Sequence, residues 1–217
     1  MIKAVILDMD GLMIDSETVT FACYSEVLKE LGYPFNIEMY KNFLGKNGAR
    51  VQKMLVEYYG DAFPLETAWK EVYGRVQAHM RKSVPIKKGL IELLQYLKAN
   101  NYKTIVATGS ARYRVNEIFT SANLHPYFDD MICGDEIKNS KPDPEIFLTA
   151  CKKLNVSTDE VLVLEDSEAG ILAAHNGNMK VICIPDMKYP EKEYESKAYR
   201  IFDSLLDVIS YLKKEGA

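Results

Sequence analysis

The chain has 217 residues, 47% hydrophobic and 27% charged, enough apolar surface for one large domain or a core with a smaller insert, which excludes wholesale disorder. Twenty-seven basic against 31 acidic residues leave a formal charge of −4, which excludes a nucleic-acid binder on bulk electrostatics. No apolar run approaches the roughly 20 residues of a membrane-spanning helix, and Met1-Ile2-Lys3 passes straight into a strand-like segment without the pattern of a signal peptide.

The first element is the run Ile2 to Leu7, continuous in apolar residues as buried parallel strands are, and it ends in the polar turn Asp8-Met9-Asp10-Gly11. After Ser16 the period becomes helical. Phe21, Tyr24, Val27, Leu28 and Leu31 form one stripe that stops at Gly32. Val51, Met54, Leu55 and Tyr58 form a second that stops at Gly60, and Trp69, Val72, Tyr73, Val76 and Met80 form a third. The Trp69, Tyr73 and Val76 positions read as core of this helical unit.

From Gly89 helices and strands alternate. The expected order is a helix over 90–97, a strand over 104–107, a turn at Thr108-Gly109-Ser110, a helix to about Ser121 and a strand at 131–133. Pro142 and Pro144 then punctuate a loop before a helix from Glu145 to Leu154. A strand over 161–164 ends in Glu165-Asp166 and is followed by a small-residue helix over 169–174 and a strand over 181–184. The Tyr-rich stretch 187–197 reads as a surface loop, and a last helix runs from about Ser204 to Lys213 with Asp203 as its N-cap. This alternation predicts an α/β fold, a Rossmann-like parallel sheet with helices on both faces. The helical stretch is an insertion after the first strand. The expected division is a core of residues 1–15 and 82–217 and a helical unit of residues 16–81.

Cys23, Cys133, Cys151 and Cys183 are dispersed, with no C-x-x-C pair, and read as buried structural thiols of a protein in a reducing cytoplasm. His79, His125 and His175 are equally scattered and lie next to no candidate nucleophile or metal ligand.

Open α/β sheets bind ligands beyond the carboxyl ends of their strands. Three strands here end in polar groups at that edge: Asp8 and Asp10, Thr108 and Ser110, and Glu165 and Asp166. Each has an ordinary reading alone, as turn residues, a helix cap or first-turn acids. Together, four carboxylates at one sheet edge repel one another unless a cation neutralises them, and an all-oxygen set suits Mg2+. Lys141, in a proline-stiffened loop, and Thr108 with the Gly109 N–H at a helix mouth supply an anion cradle. Carboxylate nucleophile, hard cation, lysine and anion cradle together describe phosphoryl transfer.

Asp8-Met9-Asp10-Gly11, Thr108, Ser140-Lys141-Pro142 and Glu165-Asp166-Ser167 with Ala169-Gly170 resemble, in order and spacing, the four motifs of the haloacid dehalogenase superfamily. The likeness is to its branch of sugar-phosphate phosphatases and β-phosphoglucomutases and covers essentially the whole chain, the helical insert resembling that branch's cap domain. The resemblance implies Asp8 as a nucleophile forming an aspartyl-phosphate and Asp10 as general acid and then base. It implies that Thr108 and Lys141 bind the phosphoryl group. Mg2+ would be held by Asp8, the Asp10 carbonyl and Asp166, with Glu165 mainly through water.

The loop Phe43 to Gly48 resembles the cap loop that faces the catalytic pocket in that branch, and makes Gly45, Lys46 and Asn47 candidate substrate contacts, with Arg50 a weaker one; a plain interhelical turn is the alternative. Two core positions depart from the branch's habit: Lys88 precedes Gly89 where proline is common, and Asn178 stands where glycine is common. At the position of the mutases' histidine base stands Thr20, which is no base at neutral pH. The expected activity is therefore Mg2+-dependent hydrolysis of small phosphomonoesters such as sugar phosphates or nucleoside-type monophosphates, with a phosphomutase as the alternative. The expected partner is a small-molecule phosphate ester, with no nucleic acid or membrane, and the protein a monomer or weak dimer in the cytoplasm.

Overall fold

The computed structural model describes residues 1–46 and 48–215, the last without its side chain. Strand β1 (Ala4–Leu7) leads into α1 (Ser16–Glu30), α2 (Ile37–Lys41), α3 (Gly48–Tyr59) and α4 (Leu65–Lys82). The alternating part follows as α5 (Leu90–Ala99), β2 (Lys103–Ala107), α6 (Arg112–Ser121), β3 (Asp130–Ile132), α7 (Glu145–Leu154), β4 (Val161–Glu165), α8 (Glu168–Asn176) and β5 (Lys180–Cys183). It closes with α9 (Lys192–Glu195), β6 (Arg200–Ile201) and α10 (Leu205–Glu215). The strands form one six-stranded sheet in the order β3-β2-β1-β4-β5-β6, parallel throughout.

The apolar runs form strands because both faces of the sheet are covered. Val5, Leu7, Val106, Leu162 and Leu164 pack on one side against Leu90, Leu94, Phe119 and Val208. Ala4, Ile6, Ile105, Ala107, Val161 and Val163 pack on the other against Phe147, Ala150, Ile171 and Ala174. Within β1 the residues alternate between the two cores, as strand geometry requires. Sheet order reverses direction between β1 and β4, the switch point where such sheets bind ligands, and the segments carrying Asp8 and Asp166 leave the carboxyl ends of those two strands.

Helices α1 to α4 bury a core of their own, with Tyr24, Leu28, Tyr40, Phe43, Leu55 and Val72 at its centre. Met187, from the loop after β5, packs against it. Helix α4 also meets α6, where Arg81 and Glu117 pair at 3.1 Å.

Several expectations change in detail. α2, α9 and β6 stand where no element is expected, each too short to carry a periodic signal. Tyr73 is 45% exposed and not core; the buried line of α4 is Ala68, Val72, Val76 and Met80, with Trp69 packed at its edge. The last helix is entered through Ser204, whose N–H and hydroxyl both donate to Asp207, rather than through Asp203. All four cysteines are buried and free, and the three histidines are exposed. Asn178 adopts a φ of 55°, a left-handed conformation that glycine favours and asparagine tolerates better than most residues.

Candidate active site

Asp8 is the first residue beyond β1, and its N–H donates to Leu164 O of β4. The chain then turns sharply. Gly11 has a φ of 84°, and a Cβ there would fall 2.2 Å from Oδ2 of Asp166, so the first loop lies directly against the Asp166 carboxylate. Asp8 is buried at 6% exposure, and Lys141 Nζ donates to its Oδ1 at 2.5 Å. The same ammonium donates to Glu165 Oε1 at 2.5 Å and sits 4.9 Å from the centre of the Phe147 ring. Lys141, far away in the chain, thus stands between the carboxylates that end β1 and β4.

Glu165 is fully buried. Its second oxygen accepts from the N–H groups of Asp166 and Ser167 and from the Ser167 hydroxyl, each at 3.0 Å. Gly170 permits this: a Cβ there would sit 1.9 Å from Glu165 Cδ. Burial pushes the Asp8 carboxyl up to about 7, against the pull of Lys141 and with Glu165 adding to the rise. Asp166 is raised well above its usual range by burial, then by Glu165 and Asp8. Burial lowers Lys141, but the two carboxylates outweigh it and its net shift is upward.

Asp10 is held differently. Arg114, on the first turn of α6, donates from Nη1 to Oδ2 and from Nη2 to Oδ1, both at 2.7 Å. Ser110 Oγ donates to Oδ2 at 2.7 Å. Burial raises the Asp10 carboxyl, but the Arg114 charge and these hydrogen bonds outweigh it and hold it below the usual range. Thr108 is buried, and its Oγ1 accepts from the Ser110 N–H at 3.1 Å.

These groups line a cavity of about 650 Å³ that also reaches Glu17, Gly45, Lys46, Asp186 and Lys188. Asp8, Asp10, Thr108, Gly109, Ser110, Lys141 and Asp166 all lie in its wall. Glu165 lies behind it, bonded to Lys141. Gly45 and Lys46 form the exposed rim on the helical unit, and Asn47 lies outside the described residues. Arg50 is not in the wall; it pairs with Glu57 along α3 at 3.1 Å.

The donor set fits a divalent cation. Four carboxylates (Asp8, Asp10, Glu165, Asp166) face two cations (Lys141, Arg114), a formal excess of two negative charges. Among the described residues no hydrogen bond or ion pair reaches the Asp166 carboxylate, so its raised proton affinity is uncompensated. An oxygen-only set of this charge is the kind that binds Mg2+.

The haloacid dehalogenase-like hydrolase pattern matches residues 5–184. The chain belongs to the haloacid dehalogenase-like hydrolases. A phosphorylated carbohydrates phosphatase of Thermotoga maritima is 32% identical over 180 residues, covering 83% of each chain. A (DL)-glycerol-3-phosphatase of Arabidopsis thaliana is 28% identical over 95% of this chain and 88% of that one. A solved Thermotoga maritima structure, described as a candidate beta-phosphoglucomutase, superposes with a TM-score of 0.82 at 28% identity, covering 98% of this chain and 99% of that one. This haloacid dehalogenase-like hydrolase is a phosphatase, a phosphoric monoester hydrolase acting on phosphorylated small molecules.

Sequence reasoning misses Arg114, Glu17 and Tyr40. The Tyr40 hydroxyl donates to Glu17 Oε2 at 2.5 Å in the cavity wall. For Arg114 a signal exists: it follows Ser110 by four residues, one helical turn beyond the anion cradle.

Proposed function

We propose that the protein is a Mg2+-dependent phosphatase of small phosphomonoesters, sugar phosphates foremost, working through an aspartyl-phosphate on Asp8. The observation that carries the reading is the Asp8 carboxylate, buried at the switch point, clamped by Lys141 at 2.5 Å and facing a cavity that Asp10 and Asp166 share. Asp8, the Asp10 carbonyl and Asp166 would hold the cation, while Glu165, its oxygens taken by Lys141 and the Asp166–Ser167 turn, would add charge from behind the cavity; when bound, the cation supplies charge neutralisation to the phosphoryl oxygens.

The Thr108 hydroxyl and the Gly109 N–H would bind phosphoryl oxygens, with Lys141 offsetting the remaining charge. An Asp8 oxygen attacks phosphorus and the ester P–O bond breaks. Asp10, which must take up a proton against the pull of Arg114 before the ester breaks, gives it to the leaving oxygen, help worth typically about 10² to 10⁴ in rate. Water then attacks the aspartyl-phosphate, gives a proton to Asp10, and phosphate leaves with the Asp8 carboxylate restored. The helical unit, residues 16–81, acts as the cap, and Lys46 and Glu17 face the leaving group from it.

The mutase alternative needs a base that helps a sugar hydroxyl take the phosphoryl group back. Thr20 donates its hydroxyl to Ser16 O at 2.8 Å within α1 and offers none. Water is therefore the acceptor. The test is phosphate release from 4-nitrophenyl phosphate with and without Mg2+, in the native protein and in Asp8→Asn, followed by a panel of sugar and nucleoside phosphates. Turnover that persists in Asp8→Asn, or without any divalent cation, would refute the reading.

A further inference from the structure

The hydrolytic scheme leaves one half-buried cation of the site without a task. Arg114 meets Asp10 edge to edge, two N–H groups on two oxygens, both at 2.7 Å. Among the described residues the hydrogen bonds of its guanidinium go to Asp10 and Ser110. Arg114 is absent from the wall of the catalytic cavity. It lines instead a separate space of about 30 Å³ at the seam of α4 and α6. The guanidinium therefore reaches the chemistry through Asp10 and not through the substrate.

We propose that Arg114 is a positioning residue for Asp10, an inference that rests on the phosphatase reading above. An aspartate side chain on a loop has two soft torsions, and proton transfer requires its oxygen within hydrogen-bond reach of the leaving group. A planar fork bonded to both oxygens fixes the plane of the carboxylate as well as its distance, which a point charge cannot do. Arg114 is itself anchored: the next residue, Val115, is fully buried in the sheet core, and the Arg112 N–H is tied to Asp135 at 3.1 Å. The Ser110 hydroxyl completes the holder from the turn that also carries Thr108. Asp10 is thus aimed by α6, while Asp8 is clamped by Lys141, and the nucleophile and the proton carrier have independent supports.

The inference separates from a merely structural role through the leaving group. A nitrophenolate departs without a proton, whereas a phenolate, whose acid is about as weak as a tyrosine side chain, benefits from one. kcat/KM reports the step that breaks the ester, so losing the aim of Asp10 costs phenyl phosphate more than 4-nitrophenyl phosphate. Arg114→Gln and Arg114→Lys are compared with the native protein and with Asp10→Asn on both esters with Mg2+. For Arg114→Gln, kcat/KM on phenyl phosphate falls by about tenfold or more and on the nitrophenyl ester by no more than about threefold. Arg114→Lys lies between, because it keeps the charge and loses the fork. In Asp10→Asn the further change Arg114→Gln costs nothing more, as expected of two residues acting as one unit.

Equal losses on the two esters, or a double variant additive in its effects, would overturn the inference. If Arg114→Gln does not fold, Arg114→Lys carries the same comparison. A native protein that releases phosphate from neither ester defeats the phosphatase reading itself, while an active native protein with an indifferent Arg114 defeats this inference alone.

Discussion

Lys141 reaches across from the loop before α7 and donates to Asp8 Oδ1 at 2.5 Å, at the end of a strand 133 residues earlier. With its bond to Glu165 it is, among the described residues, the one ammonium paired with these two buried carboxylates. Burying charges costs several kcal/mol per ion unless they are paired, and removing one partner leaves the full penalty standing.

Lys141→Met should therefore damage both stability and activity. The Lys141 side chain is 12% exposed, and its partners are 8% and 0%. Loss of about 3–5 kcal/mol is expected at neutral pH, from urea unfolding of the metal-free protein. The Asp8 carboxyl takes up a proton in acid, so the deficit should shrink there. A deficit that stays constant from neutral pH to acid would show that lost packing against Phe147, and not charge, is what the substitution removes.

Metal binding should release protons. The Asp8 carboxyl rests at about 7, raised by burial above its ordinary 3.8, and Asp166 is raised as well. Between those values the native protein holds protons that the unfolded chain has released. The stability of the metal-free protein therefore falls as pH rises from about 4 to about 7. Mg2+ takes the ionised carboxylates, so its apparent affinity climbs as pH rises through about 7. Titration calorimetry at pH 6 in buffers of different protonation enthalpy measures the protons released. Heats independent of the buffer would contradict this account.

Gly170 is the position where the backbone of α8 meets Glu165. A methyl there would overlap Glu165 Cδ at 1.9 Å and both carboxylate oxygens within 2.3 Å. Glu165 cannot yield without dropping Lys141 or the three donors on its other oxygen. Gly170→Ala should cost about 1–3 kcal/mol despite the better helix propensity of alanine. Gly74, on α4, has no atom near its missing Cβ, and Gly74→Ala should be neutral to stabilising. Thermal unfolding of the pair checks both, and a stabilised Gly170→Ala would mean that Glu165 is less firmly held than its bonds indicate.

Much of this architecture is legible in the sequence because buried parallel strands are continuous apolar runs. Val161 to Leu164 can hardly be read otherwise, and Asp8 and Glu165-Asp166 follow at the ends of such runs. The helix Glu145–Leu154 is readable to the residue, since Pro144 starts it and its apolar positions keep the period. What escapes is of two kinds. α2 at five residues and β6 at two are shorter than any period can mark. The Arg114–Asp10 pair spans 104 positions, and the Tyr40–Glu17 bond joins two helices. The spacing of Arg114 from Ser110 marks it as a neighbour of the anion cradle, but only the closed fold supplies Asp10 as its partner.

Glu17 marks where the site holds a group that folding alone would not choose. Burial raises its carboxyl, with Asp10 and Asp186 adding to the rise, while the Tyr40 hydroxyl and Arg114 oppose it. A carboxyl raised in the folded state costs stability once pH passes its ordinary value of 4.5 and costs none below. Glu17→Gln keeps an acceptor for the Tyr40 hydroxyl and removes the charge. It should raise the melting temperature at neutral pH by about 2–4 °C for each kcal/mol relieved, and the gain should vanish in acid, where the native carboxyl is neutral too. The same change should lower kcat/KM on sugar phosphates more than on 4-nitrophenyl phosphate, because only the sugar offers hydroxyls for a carboxylate in the cavity wall to accept from. Stability gained with no loss on either substrate would remove Glu17 from the recognition of the leaving group.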